Sequence, residues 1–178
     1  MNVAVVGTGY VGLVSGSCLA ELGHNVTCVD VDTEKIAGLN RGVIPIYEPG
    51  LEELVKRNVG YGRLRFTTSY QEAIPDAEVV SIAVGTPSAE DGTADMKYVK
   101  AAAEEIGKYL KDYTVIATKS TVPVGTAEMI TEIVKANTSC EFDVVSNPET
   151  LREGHAVYDF LHPSRVIIGS SSPRATDF

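Results

Sequence analysis

Gly7, Gly9 and Gly12 stand in the pattern Gly-x-Gly-x-x-Gly, and an acid, Asp30, follows 23 residues after the first. Glycines at that spacing have separate tasks when a strand precedes them and a helix follows. The first permits a tight turn. The second lets a pyrophosphate approach the backbone with no Cβ in the way, and the third lets the helix pack close to the strand. The free N–H groups and the positive end of the helix then receive the phosphates. A carboxylate at Asp30 can accept both hydroxyls of an adenosine ribose and repels a 2′-phosphate, so the pattern predicts NAD over NADP. A glycine-rich turn with no ligand is the competing reading. Strand, glycines, helix, strand and acid in register speak against it.

Three further stretches carry groups that can do chemistry. Thr86, in Val84–Pro87, can donate its hydroxyl to a cofactor ribose or phosphate; an ordinary loop turning at Asp91-Gly92 is an equal alternative. Lys119, Ser120 and Thr121 precede Gly125, where a helix begins. Their hydroxyls can order a water or touch a nicotinamide, or Ser120 or Thr121 can simply cap the helix entry. Glu149 and Glu153 are four apart. With Pro148 at a helix N1 position the two acids share one face, and beside a cofactor they can act as base and substrate clamp. Taken alone, a solvated first helical turn explains them more simply.

These groups need elements to carry them. Short β-branched runs at Val3–Val6, Val26–Val29, Val79–Ala83, Val115–Ala117, Val144–Val145 and Val166–Ile168 predict strands, with a shorter one at Leu64–Thr67. They do not alternate cleanly, as suits strands buried on both faces. Between them lie helical patterns. Val11, Val14, Cys18, Leu19 and Leu22 share a face that ends at Gly23, a C′ glycine. Asp32 is placed to cap a helix through Ile36 and Leu39. Leu51, Leu54 and Val55 mark another helix. Asp95 is placed to cap one bearing Val99, Ala102, Ala103, Ile106 and Leu110, and Ala127, Ile130, Ile133 and Val134 mark one more. Such alternation predicts an α/β fold, Rossmann-type and doubly wound, with a mostly parallel sheet covered by helices on both faces.

The 178 residues are enough for one domain with its own core. A net charge of −9 argues against non-specific nucleic-acid binding. It leaves a phosphorylated small molecule open, because a local nest of amides overrides global charge. No apolar run approaches membrane-spanning length, and the apolar N-terminus lacks a basic leader and reads as a strand. Cys18, Cys28 and Cys140 form no CxxC pair and predict reduced thiols in a cytoplasmic protein. Cys18 and Cys28 lie on core faces, so packing is their expected role, and His24 is expected in a surface turn. The last residues, SSSPRATDF, read as a helix just starting and predict a chain cut from a longer one.

Together the segments VVGTGYVGLVSGSCLAELGHNVTCVDVDTEKI, PIYEPGL, VGTP, KSTVPVGT and NPETLREGHAVYDFLHPSRVIIG resemble the UDP-glucose/GDP-mannose dehydrogenase family. They span essentially the whole chain, and the resemblance is greatest to the N-terminal NAD-binding part of members that oxidise UDP-glucose. The resemblance implies oxidation of a nucleotide-linked hexose at C6 to a carboxylate, with two NAD per turnover and a thioester on a cysteine. It implies a place in nucleotide-sugar metabolism that supplies polysaccharide biosynthesis, with no membrane or nucleic-acid partner and a full-length enzyme that is a homodimer or larger. By carry-over, Gly7, Gly9, Tyr10, Val11 and Gly12 line the pyrophosphate, and Asp30 and Lys35 hold the adenosine ribose. Thr86, Thr121 and Glu153 meet the other half of the cofactor. Thr121 positions a catalytic water, Glu149 does acid/base work on it, and Glu149, Thr150, Leu151, Arg152 and Glu153 border the sugar.

Two departures qualify this. Thr150 stands where the family usually has Phe. The family's nucleophilic cysteine lies in a downstream GFGGxC-like segment, with a catalytic lysine, a dimerisation helix and most of the nucleotide-sugar domain, and residues 1–178 contain none of them. The chain is therefore expected to be inactive alone. GDP-mannose and UDP-N-acetylmannosamine stay open as substrates. A different dehydrogenase with the same first domain, such as a 3-hydroxyacid enzyme, and a stand-alone NAD-binding regulatory module are the other readings.

Overall fold

The computed structural model describes residues 1–177. In chain order its elements are β1 (Asn2–Val6), α1 (Tyr10–Glu21), β2 (Asn25–Val29), α2 (Thr33–Asn40), α3 (Leu51–Gly60), β3 (Leu64–Thr67), α4 (Tyr70–Ala73) and β4 (Val79–Ile82). There follow α5 (Lys97–Tyr109), β5 (Thr114–Thr118), α6 (Thr126–Asn137), β6 (Phe142–Ser146), α7 (Ala156–Leu161) and α8 (Pro173–Thr176). The six strands form one sheet in the order β3-β2-β1-β4-β5-β6, every pair parallel. This is the doubly wound arrangement, whose ligand crevice lies where the strand order reverses, between β1 and β4.

The central strands β1, β4 and β5 are buried on both faces because each face has its own core, while the edge strands β3 and β6 are less buried. Val3, Val5, Val26, Cys28, Leu64 and Phe66 pack with Leu13, Val14, Cys18, Leu51, Leu54 and Ala156 on one side. Ala4, Val6, Val80, Ile82 and Ile116 pack with Val99, Ala102, Ala103, Ile106, Ile130 and Val134 on the other. This explains the lack of alternation in the strand sequences. Cys18 and Cys28 are fully buried, and burial pushes both thiols up to about 12, so packing is their role.

Several local expectations hold in detail. Gly23, at φ 97, ends α1 in a Schellman turn, with its N–H on Ala20 O and that of His24 on Leu19 O. Asp32 caps α2 by accepting from the Lys35 N–H at 2.9 Å. A short helix does begin within SSSPRATDF, capped by Ser172.

Others are corrected. Helix α1 is buried almost all round rather than along one stripe, because sheet, α3 and α7 enclose it, while Leu22 at its C-cap is exposed. Helix α5 starts at Lys97 with Met96 at its N-cap, although Asp95 still accepts the Lys97 N–H. Val166–Ile168 is not a strand. All three residues are exposed, and the stretch meets β6 only through an antiparallel bridge from Gly169 to Ser146.

Among the described residues no helix is long and apolar enough to cross a membrane.

Candidate functional site

The ladder hydrogen bonds run past the strand ends and hold the loops in register. The Gly7 N–H donates to Val29 O, that of Ala83 to Val6 O, that of Lys119 to Ile82 O and that of Asn147 to Thr118 O, each within 2.8–3.0 Å. The loops after β1, β2, β4, β5 and β6 are thereby fixed along one edge of the sheet, the C-terminal one, where open α/β sheets bind ligands.

The three glycines have separable reasons. Gly7 sits at φ 99, and a Cβ there would lie 2.7 Å from Ala83 O. A Cβ on Gly12 would lie 1.9 Å from Gly7 O. Both glycines are demanded by the packing of the chain itself. Among the described residues a Cβ on Gly9 would meet nothing within 4 Å, and its φ of −70° suits any residue. Gly9 is exposed and caps α1 without a side chain. The first intrahelical amide is that of Leu13, on Gly9 O at 2.9 Å. The amides of Tyr10, Val11 and Gly12 therefore face out of the helix end. No acid occupies the first turn to offset the dipole. These features fit a pyrophosphate seated over Gly9.

Asp30 lies at the end of β2, and its side chain is largely buried. Its Oδ2 accepts from the Thr8 N–H at 2.8 Å, the Thr8 hydroxyl at 2.7 Å and Lys35 Nζ at 3.0 Å. Among the described residues its Oδ1 accepts the Asp32 N–H alone, at 3.0 Å, which leaves it lone-pair capacity for a further donor. Burial works to raise the Asp30 pKa, but the donors from Thr8, Asp32 and Lys35 outweigh it and hold the carboxyl below its usual range.

At the other end the Thr86 hydroxyl donates to Thr121 O at 2.8 Å, so the two threonines meet. Ser120 and Thr121 do not cap α6. Gly125 fills that place, and the Ser120 hydroxyl donates to Val84 O at 2.7 Å. Thr121 and Glu149 line one cleft, and Glu149 also borders a second with Thr150, Leu151 and Lys119. Lys119 donates to Asn147 Oδ1 at 2.9 Å and lies over the Phe160 ring. Burial lowers its pKa, against the pull of the Glu149 charge.

Residues 147–153 are not helical, which corrects the expectation for Pro148. Glu149 and Glu153 therefore share no helix face. Helix α7 starts only at Ala156 because nearer partners satisfy the loop. Glu149 accepts the Leu151 N–H, and Arg152 holds Asp159 through its N–H and its guanidinium, at 2.7–3.2 Å. Glu153 is exposed, and its charge bears on the Tyr10 hydroxyl.

The sequence reading missed Glu48. It is buried, and it accepts from the Tyr10 hydroxyl and, at 2.8 Å each, from the Gly154 and Ala156 N–H groups. Its sequence signal was an acid among apolar neighbours in PIYEPGL, with no basic partner nearby. Burial works to raise its pKa, and the bonds from Tyr10, Gly154 and Ala156 lower it further than burial raises it.

A pH dependence follows. Depressed folded-state pKa values for Asp30 and Glu48 contribute stability that is fully present above their unfolded values, about 3.9 and 4.3. It is lost as the pH falls through the folded values. Urea midpoints should hold steady from pH 7 to about 5 and then fall, and Asp30→Asn should flatten that fall. A midpoint in Asp30→Asn that tracks the parent through the acid range would refute Asp30's share.

The whole chain, residues 1–178, matches the model of the UDP-glucose/GDP-mannose dehydrogenase family, NAD binding domain. The chain belongs to that family. It is 54% identical over 176 residues to UDP-glucose 6-dehydrogenase TuaD of Bacillus subtilis, covering 98% of this chain and 38% of the relative. A UDP-glucose 6-dehydrogenase of Rhizobium meliloti is 53% identical, at 95% and 39% coverage. Among solved structures, a UDP-glucose dehydrogenase from Pyrobaculum islandicum superposes with a TM-score of 0.95 at 43% identity, over 99% of this chain and 42% of that one. A GDP-mannose dehydrogenase from Pseudomonas aeruginosa gives 0.95 at 36% identity, with the same coverage. The chain thus spans about two fifths of the length of these relatives. As the family's NAD-binding domain it takes NAD as cofactor, in agreement with the glycines and Asp30.

Proposed function

We propose that the chain is the cofactor-binding part of an NAD-dependent dehydrogenase that oxidises the C6 alcohol of a nucleotide-linked hexose, UDP-glucose, to the carboxylate. The observation that carries the cofactor reading is Gly9, the one glycine of the motif that no contact among the described residues requires; the relatives' names support the hexose oxidation. UDP-glucose is favoured over GDP-mannose by the names and identities of the relatives, 54% and 53% against 36%. The setting we propose is the cytoplasm, in nucleotide-sugar metabolism, with a homodimeric or larger full-length enzyme.

Bound NAD supplies the hydride acceptor. The amides of Tyr10, Val11 and Gly12 hold its pyrophosphate. Asp30 and Lys35 orient the adenosine ribose, and the Asp30 charge disfavours a 2′-phosphate. Thr86 and Thr121 lie toward the nicotinamide, with Glu153 at the edge of that half. Thr121 orients a water, and Glu149 takes and returns its proton from the shared cleft. Glu149, Thr150, Leu151, Arg152 and Glu153 border the hexose. The thioester-forming cysteine is none of the three here. Cys18 and Cys28 are buried and protonated, and Cys140 precedes β6, at the edge of the sheet away from the site. We place that cysteine outside residues 1–178, so this chain alone turns over no substrate.

Calorimetric titration of NAD, and separately NADP, into this chain tests the reading. NAD should bind, with NADP at least tenfold weaker, about 1.4 kcal/mol. Equal binding of both, or of neither, refutes the assignment of the glycines and Asp30. UDP-glucose turnover by the isolated chain refutes the placement of the cysteine.

A further inference from the structure

Glu48 sits where two functional loops meet, yet it belongs to neither. It lies between α2 and α3, 5% exposed, and both its oxygens are engaged. Oε2 takes the Tyr10 hydroxyl and the Gly154 N–H; Oε1 takes the Ala156 N–H. Tyr10 is the first residue of α1, beside the pyrophosphate amides. Gly154, at φ 82, closes the loop that carries Glu149 and Glu153, and Ala156 is the buried first residue of α7, which packs on α1. An ionised carboxylate is acceptor-only, so it can satisfy three donors at once. Burying one is tolerated only when its hydrogen bonds are complete. The three donors come from segments more than 100 residues apart in sequence, with Glu48 as their only common partner among the described hydrogen bonds.

We propose that Glu48 is a positioning residue that ties the acidic loop to the first turn of α1, so that filling the glycine loop and ordering Glu149–Glu153 favour one another. This rests on the NAD reading above for the ligand, and on geometry alone for the tie. Coupling between two sites is reciprocal: whatever loosens one weakens the other by the same factor.

Two variants test it. Glu48→Gln keeps the volume but turns one oxygen into a donor. In either orientation of the amide, the N–H of Gly154 or of Ala156 then faces another N–H. Tyr10→Phe keeps the main-chain amide and removes only the hydroxyl. Hydrogen exchange at Gly154 and Ala156 is read in the free chain and with saturating NAD, and NAD affinity is read by calorimetry. In the parent, NAD should slow exchange at both amides. The Tyr10 hydroxyl lies against the Gly154 amide but, among the described hydrogen bonds, reaches Ala156 only through Glu48, so Tyr10→Phe should speed exchange at Ala156 in the free chain. Glu48→Gln should speed it further, lower NAD affinity about fivefold or more, and abolish the NAD-induced slowing. Exchange at Ala156 that is unchanged in Tyr10→Phe overturns the tie, and so does unchanged NAD affinity in a folded Glu48→Gln. If the parent binds no NAD, the cofactor reading falls, and the free-chain exchange in Tyr10→Phe still decides the tie. If Glu48→Gln fails to fold, Tyr10→Phe decides it likewise.

Discussion

Gly12→Ala should severely destabilise the folded state, while Gly9→Ala should leave it intact and lose the cofactor. The two residues are three apart in one motif, and both are glycines for reasons that differ in kind. The methyl that Gly12→Ala introduces would fall 1.9 Å from Gly7 O, a backbone atom held by its own N–H on Val29 O. Neither side can yield without moving α1 off β1, so the cost should exceed about 4 kcal/mol. That is most of the stability of a marginal domain, given a usual range of roughly 5–15 kcal/mol. The methyl that Gly9→Ala introduces would meet no atom of the described residues within 4 Å, in backbone geometry open to alanine. Its effect on stability should stay within about 1 kcal/mol. It would, however, stand where the pyrophosphate must approach, and NAD affinity should fall about 100-fold, or roughly 2.8 kcal/mol. Circular dichroism melts and NAD calorimetry on both variants decide. Parent-like NAD binding by Gly9→Ala would remove the basis for seating the pyrophosphate there.

Asp30→Ala should erase the preference for NAD over NADP. Removing the carboxylate withdraws the acceptor for the ribose hydroxyls and the charge that repels a 2′-phosphate. It also frees Lys35, whose Nζ is held 3.0 Å from Oδ2 in the parent, to meet that phosphate. NAD should weaken by at least tenfold, about 1.4 kcal/mol, and NADP should bind as well as NAD or better. The variant carries a structural cost too, because the buried Thr8 N–H loses its acceptor, worth about 1–3 kcal/mol. Asp30→Asn separates the two effects, since its carbonyl can keep Thr8 while the charge is gone. A preference for NAD that survives in Asp30→Ala would place cofactor discrimination elsewhere.

Much of this molecule was written in local pattern. The central strands β1, β4 and β5 were legible as short β-branched runs that need burial on both faces; the edge strands β3 and β6 are less buried. The glycine motif and Asp30 were legible because their tasks depend on backbone geometry at fixed offsets from a strand end. Gly23 and Asp32 were readable as helix stop and start for the same reason: capping is settled within one turn.

What the sequence alone did not determine depends on partners distant in the chain. Pro148 and two acids four apart read as a helix start, but the loop is held instead by Asp159, by the Glu149 carboxylate turned back on Leu151, and by Glu48 at Gly154 and Ala156. Val166–Ile168 has the composition of a strand, yet among the described residues it has no ladder partner beyond the single bridge at Gly169. A strand is defined by its neighbour, and composition does not supply one. The local pattern around Glu48 does not by itself mark it as buried. Only the approach of α1 and α7 around it makes it a buried acceptor for three donors, because the desolvation of a carboxylate and the donors that offset it are properties of the packed tertiary structure.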